Sequence, residues 1–242
     1  MNHATDFHYV AEQLARVRQA VRQTAEQSGR PADAVELLAV SKTFPVEAIL
    51  AAYQAGQRRF GESRIQELEL KTAVLPDDIE WHLIGHLQSN KAAKAVKYAH
   101  WIHSVDSLKL LERLDWLAGD LGRQPNILLE VNLSGEASKF GIDSHALDDL
   151  AAGALLVAPP LDLGHAAHAH ALMTMAPAMA ARHELHRIFS ALRQRRDQLE
   201  QRFQQALPVL SMGMSGDYPA AIAEGATIVR IGSAIFGARN YS

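Results

Sequence analysis

Short apolar runs rich in branched residues alternate with longer amphipathic segments along this chain, and no other feature restricts its fold as much. The runs fall at 35–41, 58–60, 79–84, 101–105, 127–133, a loosely bounded one within 161–173, 209–212 and 227–231. Helical stretches lie between them, including 108–121 and the long 182–205. Strands that are apolar on both faces belong to parallel sheets covered by helices. Eight βα units in 242 residues predict an α/β fold, a single (β/α)8 TIM barrel, rather than an open doubly wound sheet. Ahead of the first unit, Phe7, Val10, Leu14, Val17 and Val21 share a helical face that Gly29 and Pro31 bring to a stop. The barrel therefore carries an extra N-terminal helix. The helix after the first strand begins near Pro45 and ends at Gly56. No Pro- or Gly-rich linker interrupts the series, so residues 1–242 read as one domain.

Composition narrows the partners. The formal net charge of −3 gives no electrostatic reason to expect nucleic acid or an anionic membrane. The absence of cysteine excludes disulfides, thiolate zinc sites and cysteine nucleophiles, and fits a reducing compartment. The opening MNHATDFHYV lacks the basic-then-apolar pattern of a signal peptide. The longest apolar stretch, 151–161, is too short to span a bilayer and is broken by Pro159 and Pro160. These features predict a cytoplasmic protein.

In such a barrel the reactive groups sit at the C-terminal ends of strands and in the loops after them. Lys42 ends the first strand, in step with Val40 and Leu38. Apolar neighbours desolvate a lysine and favour the neutral amine that attacks carbonyls, although a lysine there can also simply snorkel into solvent. After the seventh strand comes LSMGMSGD, where small residues let backbone N–H groups approach an anion and Ser215 offers a hydroxyl. The eighth strand ends in VRIGSAIFG, with Gly232 and Ser233 opening a short helix. Either loop alone could be an ordinary turn; in consecutive units they favour a phosphate. Arg230 lies within that last apolar strand, in step with Ile228. It needs an acceptor, either a strand carboxylate such as Glu130 or Glu62 or the ring nitrogen of a bound cofactor.

The segments AVSKTFPVEAI, RRFGESRIQE, WHLIGHLQSNK, LLEVNLSGEASKFGI, LMTMAP and LSMGMSGDYPAAIAEGATIVRIGSAIFGARNYS together resemble the pyridoxal phosphate (PLP) homeostasis protein family. That family is in turn similar to the N-terminal barrel domain of alanine racemase. The resemblance implies that PLP forms a Schiff base with Lys42. It further implies that Met214, Ser215, Gly232 and Ser233 hold the phosphate and that Arg230 meets the pyridine nitrogen. An arginine there keeps the nitrogen unprotonated and the ring a weak electron sink. The implied function is intracellular PLP homeostasis (storage, buffering or delivery) without catalytic turnover, with PLP-dependent apo-enzymes as partners and a monomeric state. Two departures stand out. Ser63 occupies the last position of the family's FGEN, so a polar contact there rests on a shorter side chain. Ala171 replaces a glycine before Leu-Met, in an expanded His/Ala-rich sixth unit.

Two other functions compete. A racemase needs an acid/base on each face of the substrate α-carbon. In alanine racemase the second is a tyrosine from another subunit, with a β-domain completing the site. This chain shows neither, and Tyr218 is the one tyrosine near the phosphate loop. A barrel aldolase would use Lys42 without any cofactor. Among the 12 histidines, His165, His168 and His170 cluster without a carboxylate at ligand spacing, and His183 with His186 reads as helix surface, so no metal site is expected. His86 is a candidate for the pocket mouth, or else, like His82, a core residue. On the long helix, Leu185, Ile188, Phe189, Leu192, Leu199 and Phe203 form a packing stripe, and Arg193, Arg195 and Arg196 a solvated face.

Overall fold

The computed structural model describes residues 7–134, 140–143, 146–156 and 168–238. In chain order its strands are β1 (Glu36–Val40), β2 (Arg59–Glu62), β3 (Glu80–Leu83), β4 (Trp101–Val105), β5 (Asn126–Asn132), β6 (Ile142–Asp143), β7 (His168–Met173), β8 (Val209–Met214) and β9 (Ile228–Ile231). All pairings are parallel, and the order β4-β3-β2-β1-β9-β8-β7-β5 closes because β4 also pairs with β5. Leu38 stands opposite Arg230 in β9, joining the first unit to the last. This is a (β/α)8 barrel.

All eight expected strands form. The sixth occupies only His168–Met173, the latter part of the expected segment, held between β5 and β8. His165 lies outside the described residues. The two-residue β6 pairs with the end of β5, outside the ring, and is too short to leave a sequence period.

The helices are α1 (His8–Gln27), α2 (Val46–Gln54), α3 (Ile65–Thr72), α4 (Ala92–Tyr98), α5 (Leu108–Leu121), α6 (Leu147–Leu156), α7 (Arg182–Phe203), α8 (Tyr218–Ala223) and α9 (Ser233–Phe236). The main core fills the space between them and the outward faces of the strands, with Phe60, Trp81, Ile102 and Leu210 among its members. Inside the ring a small apolar cluster forms around Leu128, Ala171 and Met173. Alternation puts Arg59, Glu80, His82, His103, Ser211 and Arg230 on that inner side. Much of the barrel interior among the described residues is therefore polar.

Helix α1 buries Val10, Leu14, Val17, Val21 and Ala25, the three- and four-residue spacing of one face. Its Arg18 donates to the Ala55 carbonyl after α2 at 2.9 Å, while its Tyr9 hydroxyl donates to the Phe236 carbonyl of α9 at 2.7 Å. The extra helix thus clips the first unit to the last. The arginines of α7 depart from the expected solvated face. Arg195 and Arg202 both reach Asp148 of α6, at 3.0 and 2.9 Å, and Arg193 pairs with Glu224 after α8 at 3.3 Å. Barrel helices stand side by side, so the flanks of each polar face meet neighbouring helices as well as water.

Candidate functional site

The C-terminal ends of β1, β8 and β9 converge on a cavity of about 320 Å³. That is at the small end of the roughly 300–1,000 Å³ usual for small-molecule sites. Lys42, Met214, Ser215, Arg230, Gly232 and Ser233 line it together, with Ile84, Met175 and Leu185 as apolar wall. Ser63, the remaining sequence candidate, stands in the turn after β2 with its carbonyl packed against Gly85, and it is not among the lining residues. Larger hollows of about 550 and 540 Å³ lie at the opposite end of the strands, and neither contains any of these groups.

Lys42 is positioned from behind. The apolar run of β1 stops at Ser41, whose hydroxyl donates to Glu62 Oε1 at 2.6 Å and whose carbonyl accepts from Lys71 Nζ at 3.0 Å. One residue after Lys42, Thr43 adopts a positive φ of 69°, and its N–H donates to Glu67 Oε1 at 2.6 Å. Lys71 also donates to Glu62 and Glu67, at 2.8 and 2.7 Å. Both flanks of Lys42 are therefore fastened to one buried charged cluster. Burial pushes the Glu62 carboxyl up to about 7 against the opposing pull of Lys71. Its Oε2 has no hydrogen-bond partner among the described residues.

The loop after β8 folds back at Gly213, where φ is +93° and a Cβ would lie 2.6 Å from that of Ala221. Only glycine fits there. Asp217 Oδ1 accepts from the Met214 N–H and closes the loop, and burial raises its carboxyl above the usual aspartate range. At Gly232 a Cβ would stand 2.9 Å from the Val40 carbonyl, so a small residue lets the ends of β1 and β9 approach. Ser215 and Ser233 then face the cavity from two loops.

Arg230 is 4% exposed, and desolvation brings it down to about 10, which still leaves a cation at neutral pH. Its described hydrogen bonds go to Ser211 Oγ at 2.7 Å and to the Thr174 carbonyl at 2.9 Å. They do not go to Glu62, which is taken by Lys71, nor to Glu130, which acts on Arg230 only through its charge. Two neutral acceptors hold the guanidinium at the cavity wall without neutralising it. Sequence reasoning missed Ser211 and Thr174 as its partners. The available signal was Ser211 itself, a polar residue that interrupts the apolar run of β8.

His86 stacks on Phe140 at 4.0 Å between ring centroids and lies 3.5 Å from Asp106, outside the cavity lining. His82 is fully buried in the barrel, as a core histidine. His186 pairs with Glu224 at 2.9 Å. Among the described residues no group of three His, Cys, Asp or Glu could hold a metal ion.

The family described as alanine racemase, N-terminal domain, matches residues 13–240. A pyridoxal phosphate homeostasis protein of Pseudomonas aeruginosa is 44% identical, with 96% of each chain covered. The chain belongs to the pyridoxal phosphate homeostasis protein family. Among solved structures, PipY of Synechococcus elongatus with PLP bound is 42% identical over 94% of this chain and all of that one, at a TM-score of 0.79. The same protein without PLP superposes at 0.84. An alanine racemase from Bartonella henselae shares the fold at a TM-score of 0.66 and 19% identity, and this family member spans 59% of its length.

Proposed function

We propose that the cavity binds pyridoxal 5′-phosphate through Lys42 and that the protein stores, buffers or delivers this cofactor without catalytic turnover. The observation that carries this reading is the meeting of one amine, one buried guanidinium and two serine hydroxyls in a single 320 Å³ cavity. When bound, PLP supplies an aldehyde for an amine and a conjugated ring that withdraws electrons. Lys42 offers the amine. Ser215 and Ser233, with the backbone around Met214 and Gly232, offer donors to the phosphate. The described lining carries the amine of Lys42 and the guanidinium of Arg230 against the single carboxyl group of Asp217, a balance that suits a phosphorylated ligand. Arg230, still protonated at neutral pH, would donate toward a ring nitrogen without giving up its proton. That restraint favours holding the cofactor over using it.

The names of the relatives and the PLP-bound PipY support the same reading over a racemase. Among the described lining residues there is no tyrosine to serve the second face of a substrate, and Tyr218 opens α8 packed against the core. No helix among the described residues is long and apolar enough to cross a membrane. The proposal includes a monomer working in the cytoplasm, with PLP-dependent apo-enzymes as recipients. Purified protein should be yellow, and borohydride should fix a pyridoxyl adduct on Lys42, located by mass spectrometry. A colourless protein, or an adduct on another lysine, would overturn the reading. Loss of optical activity from alanine at ordinary enzyme rates (a median of roughly 10 per second) would replace carrier by racemase.

A further inference from the structure

Inside the barrel a file of polar side chains runs from the cavity floor toward the opposite end of the strands. Arg230 donates to Ser211 Oγ at 2.7 Å, and Ser211 Oγ lies 3.0 Å from His103 Nδ1. His103 Nε2 lies 2.9 Å from His82 Nδ1, and His82 Nε2 faces Glu80 Oε1 at 3.7 Å. Both histidines and Ser211 are fully buried. His82 also stacks on Trp101 with ring planes 1° apart, which fixes the direction of its edge. Glu80 is pinned by Arg59 Nε at 3.0 Å and by the Trp101 indole N–H.

The two ends of the file impose a direction on every proton in it. A guanidinium can only donate, so Ser211 Oγ must accept from Arg230. At the far end Glu80 is a carboxylate paired with Arg59 and accepting from the Trp101 indole N–H, and its charge, 3.7 Å away and beyond hydrogen-bond length, favours the proton of His82 on the facing Nε2. His82, kept neutral by burial, then has an unprotonated Nδ1, which requires a proton on His103 Nε2. His103 Nδ1 is left to accept from the Ser211 hydroxyl. Every donor points from the cavity toward Glu80. His82 Nε2 makes no hydrogen bond among the described residues, and the reverse order would set its lone pair against the charge of Glu80.

We propose that Ser211, His103 and His82 are positioning residues that hold Arg230 as a fixed cationic donor at the cavity, with Glu80 setting the direction of the file. The proposal rests on the cofactor reading for what Arg230 faces. A serine whose hydroxyl is committed to His103 presents only its lone pairs to Arg230, so the guanidinium is oriented and cannot be met by a competing donor. The file thereby extends control of the ligand's ring nitrogen to residues deep in the barrel that do not touch it.

Two measurements test this. Nitrogen-15 NMR of the cofactor-free protein should find Nδ1 unprotonated and Nε2 protonated in both His82 and His103. A protonated Nδ1 on His103 overturns the proposal whatever the ligand is. Binding is then compared for PLP and for its carbocyclic analogue, in which C–H replaces the ring nitrogen. His103→Ala should weaken PLP about tenfold and leave the analogue nearly unchanged, the scale of one misaligned charged hydrogen bond. Equal losses for both ligands, or no loss for either, overturn it. Ser211→Ala, which removes far less volume, should show the same selectivity if the histidine variant fails to fold. A wild type that binds neither ligand defeats the cofactor reading instead, and the tautomers remain measurable.

Discussion

Lys71 of α3 places its ammonium 2.8 Å from the buried carboxylate of Glu62, directly behind the strand end that carries Lys42. The pair is 7% and 0% exposed, and it ties α3 to both β1 and β2 through Ser41. Buried pairs add little net stability beside an apolar substitute, but breaking one is expensive because the surviving charge stays desolvated. The pair matters here because it holds Ser41, and through Glu67, which Lys71 also contacts, Thr43, on the two sides of Lys42.

Lys71→Met should destabilise the fold by about 3–5 kcal/mol at pH 8, measured by urea unfolding. At pH 5 the loss should be smaller, since Glu62 can then accept a proton. The double variant Lys71→Met/Glu62→Gln should recover much of the loss. Equal destabilisation at both pH values would mean that the surviving carboxylate is not the cause.

Glu62 itself sets a pH trend. Its folded value of about 7 lies above the ordinary 4.5, so the folded chain binds this proton more tightly than the unfolded chain. Its contribution is fully present below about 4.5 and is lost as pH rises toward and through 7. Glu62→Gln removes the titration. Relative to that variant, the wild type should lose stability between pH 5 and pH 8 in paired urea titrations. A constant difference between the two would show that Glu62 titrates normally.

Arg230→Lys keeps the charge but cannot reproduce two donations in fixed fork geometry. Either Ser211 Oγ or the Thr174 carbonyl should lose its donor, at about 1–3 kcal/mol of stability. Bound PLP should absorb at a shifted wavelength and dissociate faster. An unchanged spectrum with unchanged affinity would remove Arg230 from contact with the ring.

Ser215→Ala should weaken PLP retention by about 1 kcal/mol or more, the scale of a hydrogen bond to a charged group. Its effect on pyridoxal, which has no phosphate, should be negligible. Dialysis followed by absorbance gives both affinities, and equal losses for the two ligands would place Ser215 away from the phosphate.

Much of this is legible in the sequence. The strands of a covered parallel sheet declare themselves through continuous apolar runs, and Leu37 to Val40 or Ile127 to Leu129 can hardly be anything else. Lys42 and the two glycine- and serine-bearing loops were visible because barrel chemistry sits at strand ends, whichever strands they are. The sixth strand was blurred because alanine and histidine carry no strand preference of their own, and its limits are set by the neighbours that pair with it.

The order of elements, the closed barrel and the meeting of Lys42 with the two phosphate-type loops follow from the chain itself, since periodicity and strand-end position are local properties, whereas Ser63 stays outside the cavity lining and Leu185 enters it. Which side chains answer one another was decided only by the tertiary structure. Arg230 meets Ser211, 19 positions away, and Thr174, 56 positions away, instead of the carboxylates its charge suggested. His82 and His103 join across two strands into one directed file, and Lys71 braces Lys42 from behind. Such partnerships depend on register and on the inward or outward sense of each strand, which arise when the ring closes and brings distant residues to hydrogen-bond distance.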